Sequence, residues 1–246
     1  MRWAVYFTVA FVVFVVATAA TLPLAVVTSR LDLPVEMTRV SGTVWKGAID
    51  GLSVNGQTLG DAKFRVRPWS LLSGRPSAHI DFQGRGLQGA GDISFNGDLI
   101  TLTDASGTAD LVRFGFVDAF GQPLRGSVKT EVEALAFSLR QGCRRADLSV
   151  ATDAVSRSLG AYAAEGFPLE GQGRCEGDAL LLPLAGQGPD AAIEAELRLN
   201  KDGSYVTKLA VTPEARELGI FLAGMGFEER GGAFVTQRGG SLEADL

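Results

Sequence analysis

The chain has 246 residues, 31 of them glycine, and its formal net charge is −5. This acidic balance argues against nucleic acid as a partner, because nucleic-acid-binding domains usually present a basic face. Two cysteines and one histidine do not make a zinc ligand set, and we expect neither a metal nor a cofactor.

The N-terminal segment is apolar. Residues 3–27 contain no charged side chain, and a helix needs about 20 apolar residues to cross a bilayer. We therefore predict a transmembrane helix at residues 1–30 that acts as an uncleaved signal anchor, and Arg2 favours a cytoplasmic N-terminus. Two alternatives stay open: a signal peptide cleaved at the small residues 17–20, and a buried helix of a soluble domain.

Residues 31–246 have the pattern of one β domain. Short segments of alternating apolar and polar residues, separated by glycine, indicate antiparallel strands joined by tight turns. We predict a large twisted antiparallel sheet, either an open half-barrel or a sandwich, with a few short helices. Asn55-Gly56 is the strongest hairpin signal, since both residues tolerate the positive φ of a two-residue turn. Residues 191–199 and 205–211 predict a second hairpin around residues 200–203.

Three stretches depart from the alternation and predict short helices. Residues 113–120 and 155–162 have apolar side chains at helical spacing. The third helix is predicted to start at residues 212–214, where Thr212 can cap and Pro213 suits the first helical position. Its apolar stripe comprises Leu218, Phe221, Leu222 and Met225.

The soluble part contains two similar openings. Gly-Thr-Val at residues 42–44 and Gly-Ser-Val at residues 126–128 each precede a run of strands. One interpretation is a duplicated sheet unit, with halves at residues 40–125 and 126–246. The other is chance similarity.

Cys143 and Cys175 have similar neighbours, each lying beside a glycine and an arginine within two residues. An even cysteine count and an exported domain favour a disulfide between them. Two unrelated buried thiols are the alternative.

The sequence offers little catalytic chemistry. His79 is the only histidine and lies in the middle of a predicted strand, on its polar face. The glutamate pairs at residues 131/133 and 194/196 have the spacing of a solvated strand face. Trp45 and Trp69 are predicted to lie in the core rather than to form a ligand platform. We therefore expect no catalytic residues.

The most specific motif is Ser-Gly-Thr-Val-Trp-Lys-Gly at residues 41–47. It is followed by a strand that ends at Pro68 and by a Leu-Leu-x-Gly turn at residues 71–74. In these features the chain resembles the type II secretion system protein N (GspN) family, although Phe64 stands where that family commonly has tryptophan. The paired cysteines and the Gly-rich stretch at residues 218–238 fit the same pattern. The candidate motif residues are Gly42, Thr43, Val44, Trp45 and Gly47.

The resemblance implies a single-pass protein of the bacterial inner membrane with the bulk of its chain in the periplasm. It implies a non-enzymatic accessory component of the type II protein secretion apparatus, in contact with inner-membrane lipid and other secretion-apparatus proteins. The strand pattern leaves an alternative, a periplasmic groove protein that binds or carries the acyl chains of lipids on an apolar sheet face. A periplasmic hydrolase is a third hypothesis.

Overall fold

Antiparallel strands make up most of the chain. This computed structural model describes residues 23–24, 36–54, 57–114, 124–138, 140–159 and 166–241. They contain fourteen strands, three short helices and one 3-10 turn, which confirms the predicted mainly β fold. The chain divides into two units, residues 1–85 and 86–246. This boundary differs from that of the predicted halves, whose similarity stays a prediction.

The first unit is built on four antiparallel strands that neighbour one another in chain order. They are β1 (Glu36–Gly42), β2 (Lys46–Val54), β3 (Gln57–Val66) and β4 (Ser77–Gly84). The helix α1 (Pro68–Leu72) connects β3 to β4. It begins at Pro68 because proline fits the first helical position and the preceding Arg67 has an extended backbone.

The second unit is one antiparallel sheet of ten strands. They are β5 (Leu87–Asn96), β6 (Leu99–Asp110), β7 (Ser127–Ser138), β8 (Gly142–Thr152), β9 (Leu169–Glu176), β10 (Ala179–Gln187), β11 (Ala191–Leu199), β12 (Ser204–Pro213), β13 (Glu228–Arg230) and β14 (Ala233–Ser241). Strands β5 to β12 pair in chain order, and β14 and then β13 follow β12. The described strands of this unit therefore form one open sheet, as predicted, and the half-barrel curvature stays a prediction.

The core of the second unit lies where α3 (Arg216–Gly224) packs on the sheet. The register places Ile193, Val211 and Phe234 directly opposite one another on β11, β12 and β14. Leu218 and Leu222 of α3 are fully buried in the same cluster. The predicted apolar stripe of this helix is therefore confirmed.

The predicted start of this helix is wrong by a few residues. Thr212 and Pro213 end β12, where Pro213 lies opposite Ala191 of β11. The Glu214 backbone N–H then donates to the Asp190 carbonyl at 2.9 Å. Strand pairing thus holds these residues extended, and the helix begins only at Arg216.

The other short helices are described in part. A 3-10 turn, Leu111–Phe114, stands at the start of the predicted helix 113–120, and residues 115–120 lie outside the described residues. The helix α2 (Ala154–Arg157) confirms the start of the predicted helix 155–162, and residues 160–162 lie outside the described residues. The Asn55-Gly56 turn also lies outside them, although Val54 pairs with Gln57 on either side of it.

The predicted anchor at residues 1–30 lies outside the described residues, apart from Pro23 and Leu24. Within the part of the chain that is described, no helix is both long enough and apolar enough to cross a membrane.

Asp153 connects α2 to the start of β7. Its carboxylate accepts hydrogen bonds from the Ser127 backbone N–H at 2.7 Å and from Arg157 Nε. Burial raises the pKa of Asp153, but the hydrogen bonds and the Arg157 charge outweigh burial, and the pKa lies below its ordinary value. The charged form therefore stabilises the fold above an unfolded pKa of about 3.9, and this contribution is lost as the pH falls through the lowered pKa.

We expect Asp153→Asn to lower the free energy of unfolding by about 1–2 kcal/mol at pH 7, because charge-assisted hydrogen bonds are lost. The difference from the wild type should shrink as the pH falls below the unfolded pKa of about 3.9 and through the lowered pKa of the folded carboxylate, where the wild-type side chain also becomes protonated. Denaturant unfolding across this pH range measures this. Asp190→Asn is the control, since its side chain is exposed and makes no hydrogen bond or ion pair with the described part of the chain. A difference that stays the same at low pH would contradict the assignment.

Candidate functional site

The family-motif residues form the turn between β1 and β2. The Thr43 hydroxyl accepts hydrogen bonds from the Trp45 and Lys46 backbone N–H groups at 3.4 and 3.3 Å. The Thr43 N–H donates to the Lys46 carbonyl at 3.0 Å. Gly42 has φ +89°, and a Cβ there would lie 2.4 Å from the Lys46 carbonyl oxygen. The turn therefore requires glycine at position 42 and uses the threonine hydroxyl.

This turn and α1 lie at the same end of the first sheet. The Val66 N–H donates to the Trp45 carbonyl at 2.8 Å, which joins the turn to the end of β3. The Arg67 N–H donates to the Ser77 carbonyl at 3.0 Å, which closes the connection that contains α1. We call this region the motif end of the first unit: residues 42–47 together with residues 64–79.

Two described residues of the N-terminal segment also lie at the motif end. Pro23 forms a β-bridge with Thr43, and Leu24 is only 7% exposed. A Cβ on Gly47 would lie 2.7 Å from both Leu24 Cδ2 and Phe64 Cζ. The absence of a side chain at Gly47 thus makes room for Leu24 and Phe64 to pack against the strand.

Gly47→Ala should lower the free energy of unfolding by about 1–3 kcal/mol, because the added methyl overpacks a filled site. Thermal or denaturant unfolding measures the change. Gly224→Ala is the control: it lies at the end of α3, and a Cβ there meets nothing within 4 Å. Equal stability changes in the two variants would contradict the packing role of Gly47.

Basic side chains line the polar face of the motif end. Lys46 lies directly opposite Arg65, which lies directly opposite His79. These residues and Lys63 line an open cavity of about 490 Å³. The carboxylate Asp81 lies there too, with its Oδ2 3.6 Å from His79 Nε2. His79 therefore lies on the polar face, as predicted.

Trp69 is not a core residue, and that prediction is wrong. Its side chain and that of Leu72 are each 79% exposed, and α1 has no buried residue. Trp45 is partly buried and is not one of the buried core residues of the described chain, so its predicted place in the core stays a prediction. The difference arises because α1 projects from the end of the sheet instead of folding onto it.

A disulfide joins Cys143 of β8 to Cys175 of β9. The pairing of these two strands starts at Leu148 opposite Gly173, so the bond connects them beyond their hydrogen-bonded ladder. The Cys143 N–H donates to the Asp178 carbonyl at 2.8 Å. Gly142, with φ +77°, would bring a Cβ to 2.0 Å from that same carbonyl oxygen. The start of β8 and the turn at Asp178 are therefore closely packed, and we call this region the disulfide corner of the second unit.

The acidic pairs have the contacts of a solvated sheet face. Glu131 accepts from Lys129 Nζ at 2.8 Å, which lowers the pKa of the glutamate. Glu196 accepts from Lys208 Nζ at 3.2 Å. Within the described residues, no group of three or more histidine, cysteine or acidic side chains is arranged to hold a metal ion.

Sequence reasoning identified the motif but missed two features of its surroundings. The contact between Leu24 and Gly47 joins residues that are far apart in the chain, and no local pattern signals it. The alternation of Lys63 and Arg65 indicated a polar strand face. Only the β2–β3 register shows that Lys46 lies on the same face.

Comparisons with known proteins cover most of the chain. A family model described as type II secretion system (T2SS), protein N matches residues 34–237. The type II secretion system protein N of Aeromonas hydrophila is 35% identical over 80 residues. That alignment covers 31% of this chain and 32% of the relative, so it spans about a third of the relative's length. No solved structure matches significantly.

Proposed function

The chain belongs to the type II secretion system protein N family, and from this membership we propose that it is a non-enzymatic accessory component of the type II protein secretion apparatus. It acts as an interaction module for export across the outer membrane, tethered to the bacterial inner membrane with the bulk of its chain in the periplasm. The observation that carries the proposal is the family match over residues 34–237, which includes strands of both units.

Two further observations support the membrane and the compartment. Residues 3–27 are uncharged, and their length suits a bilayer span. The disulfide between Cys143 and Cys175 suits an oxidising compartment such as the periplasm.

The β1 strand offers a physical route to a partner. Among the described strands only β2 pairs with it, and the bridge from Pro23 is made to Thr43, just beyond its last residue. The other edge of β1 along Glu36–Gly42 can therefore accept an extended segment of another protein by strand addition. Exposed charged residues on β1, Glu36 and Arg39, would oppose unspecific pairing at this edge.

The test is co-purification through a C-terminal tag after gentle solubilisation of membranes, with mass spectrometry of the recovered proteins. We expect secretion-apparatus proteins in stoichiometric amounts. Recovery of lipid without a stoichiometric protein would contradict the proposal.

Two proline variants test whether β1 is the docking edge. Neighbouring residues of an edge strand direct their N–H groups alternately to the partner strand and to the open edge. One of Val40→Pro and Ser41→Pro therefore removes a β1–β2 hydrogen bond and destabilises the fold, while the other removes only an open-edge donor. The variant that keeps wild-type thermal stability should lose the partner. Retention of the partner by that variant would exclude this edge.

A second candidate function is the binding or transport of lipid acyl chains. The register places Phe95, Ile100 and Phe137 directly opposite one another on β5, β6 and β7. Phe95 is 42% exposed, and these residues lie outside the core cluster that α3 covers. An apolar sheet face of this kind suits an acyl chain. Delipidated protein should bind a fluorescent fatty acid, and Phe137→Glu should abolish binding. No binding by the wild type would contradict this candidate.

A further inference from the structure

The motif end of the first unit carries an exposed apolar helix beside a row of basic side chains, and we propose that together they dock on the surface of an anionic phospholipid bilayer. This inference rests on the membrane location in the proposed function. It adds a second membrane contact, made by the folded domain and separate from the N-terminal segment.

The apolar half of the docking surface is α1. Trp69 and Leu72 are each 79% exposed, and Leu71 is 44% exposed. Tryptophan is the residue that favours the boundary between lipid headgroups and acyl chains, since its ring is apolar and its N–H can stay hydrated. Three large apolar side chains exposed within five residues are unusual for a surface that faces only water.

Polar side chains hold this helix in place from within. The Ser70 hydroxyl donates to the Arg67 carbonyl at 2.6 Å and accepts from the Ser77 N–H at 2.9 Å. The Ser73 hydroxyl donates to the Ser70 carbonyl at 2.8 Å. The serines thus close the loop on itself and leave the apolar side chains pointing outward, so that docking requires little ordering of the chain.

The basic half of the docking surface consists of Lys46, Lys63 and Arg65 on neighbouring strands. Lys46 lies directly opposite Arg65, a like-charge pair that destabilises a sheet unless a counter-charge is supplied. Lys63 adds a third positive charge on the same face, and Asp81, directly opposite Lys63, contributes one negative charge there. In the part of the chain that the structure describes, none of the three has a carboxylate partner within ion-pair distance. This local excess contrasts with the net charge of −5 of the whole chain.

The arrangement favours a bilayer over a single small anion. The cations lie on an exposed strand surface, and Arg67 and Arg75 extend the positive charge to both sides of α1. A spread of cations around an apolar tip matches many headgroup phosphates above an acyl region. Pro23, which belongs to the uncharged run 3–27 and bridges Thr43, lies at the same end of the unit.

The experiment follows the fluorescence of Trp69 in the full-length protein. Trp3→Phe and Trp45→Phe leave Trp69 as the one tryptophan, and thermal unfolding checks that the fold is kept. The protein is reconstituted into phosphatidylcholine bilayers with and without phosphatidylglycerol, prepared with brominated acyl chains that quench tryptophan. We expect a blue shift and strong quenching only with phosphatidylglycerol. The triple variant Lys46→Gln, Lys63→Gln, Arg65→Gln should reduce quenching to the level in neutral bilayers.

A matched control uses the second unit. Ile220 of α3 is 66% exposed. Ile220→Trp, in a variant that lacks the three native tryptophans, places a similar exposed probe on this helix. Unlike α1, α3 is not flanked by cations on both sides. The probe at position 220 should stay unquenched. The proposal is overturned if this probe is quenched as strongly as Trp69, if Trp69 is not quenched, or if quenching is equal in neutral bilayers.

A third variant of the protein tests the two membrane contacts separately. With Trp3 as the sole tryptophan, quenching reports whether the N-terminal segment enters the bilayer. Quenching of Trp3 without quenching of Trp69 would overturn the docking surface and leave the anchor intact. Quenching of Trp69 alone would support the docking surface and contradict the anchor in the proposed function.

Discussion

Replacing Cys143 and Cys175 together by alanine should lower the free energy of unfolding by roughly 3–4 kcal/mol. The two residues are 32 positions apart, and the bond restricts the unfolded chain by closing a loop of that length. Alanine is preferable to serine because Cys143 is only 4% exposed, and a buried hydroxyl without a partner would add its own cost. Urea unfolding, followed by circular dichroism, measures the loss.

Reduction of the wild type distinguishes the effect of losing the disulfide from the effect of replacing the two side chains. A reducing agent should destabilise the wild type by a similar amount and leave the double variant unchanged. A loss below about 1 kcal/mol in the double variant, a usual size for a point mutation, would show that the bond contributes little. The corner built by Gly142 and the Asp178 carbonyl would then hold β8 and β9 together without it.

The strands could be predicted from the sequence because their signal is local. Alternation at residues 63–67 and 191–199 indicates strands with one polar and one apolar face. β3 contains residues 63–66 of the first segment, and β11 contains the whole second segment. The hairpin around residues 200–203 is confirmed, since β11 and β12 pair on either side of it. Antiparallel neighbours joined by short turns then follow from the spacing.

Features that depend on non-local pairing could not be predicted. The sequence shows a possible cap at Thr212, but not that β11 continues to pair with β12 as far as Pro213. The usual burial of tryptophan placed Trp69 in the core, because no local pattern tells whether a short helix folds onto its sheet or away from it. The basic row likewise exists only through the register that places Lys46 opposite Arg65.

In the candidate site, too, the local features could be predicted from the sequence and the non-local ones could not. The glycines and threonine of residues 42–47 could be recognised as a motif, and the geometry assigns each a physical task. Gly42 admits the turn, Thr43 supplies its hydrogen-bond acceptor, and Gly47 makes room for Leu24 and Phe64. The motif also packs against Leu24, and this contact is between residues that are far apart in the chain, so no local pattern could predict it.

Leu222→Ala should lower the free energy of unfolding by about 2–5 kcal/mol, because it leaves a cavity in the core of the second unit. Leu222 is fully buried against the sheet, whereas Ile220 on the same helix is 66% exposed. Ile220→Ala is therefore the matched control, and a change within about 0.5 kcal/mol is expected for it. Denaturant unfolding of both variants measures the difference.

The same pair of variants distinguishes a helix that stabilises the sheet from one that also covers an apolar surface. If α3 lies over the apolar face, its loosening in Leu222→Ala exposes Ile193, Val211 and Phe234. Binding of a hydrophobic dye under native conditions should then rise in Leu222→Ala and stay at the wild-type level in Ile220→Ala. Equal dye binding with a large stability loss would mean that α3 stays in place and only its packing has weakened. The apolar surface open to a lipid would then be confined to the part of the sheet around Phe95 and Phe137.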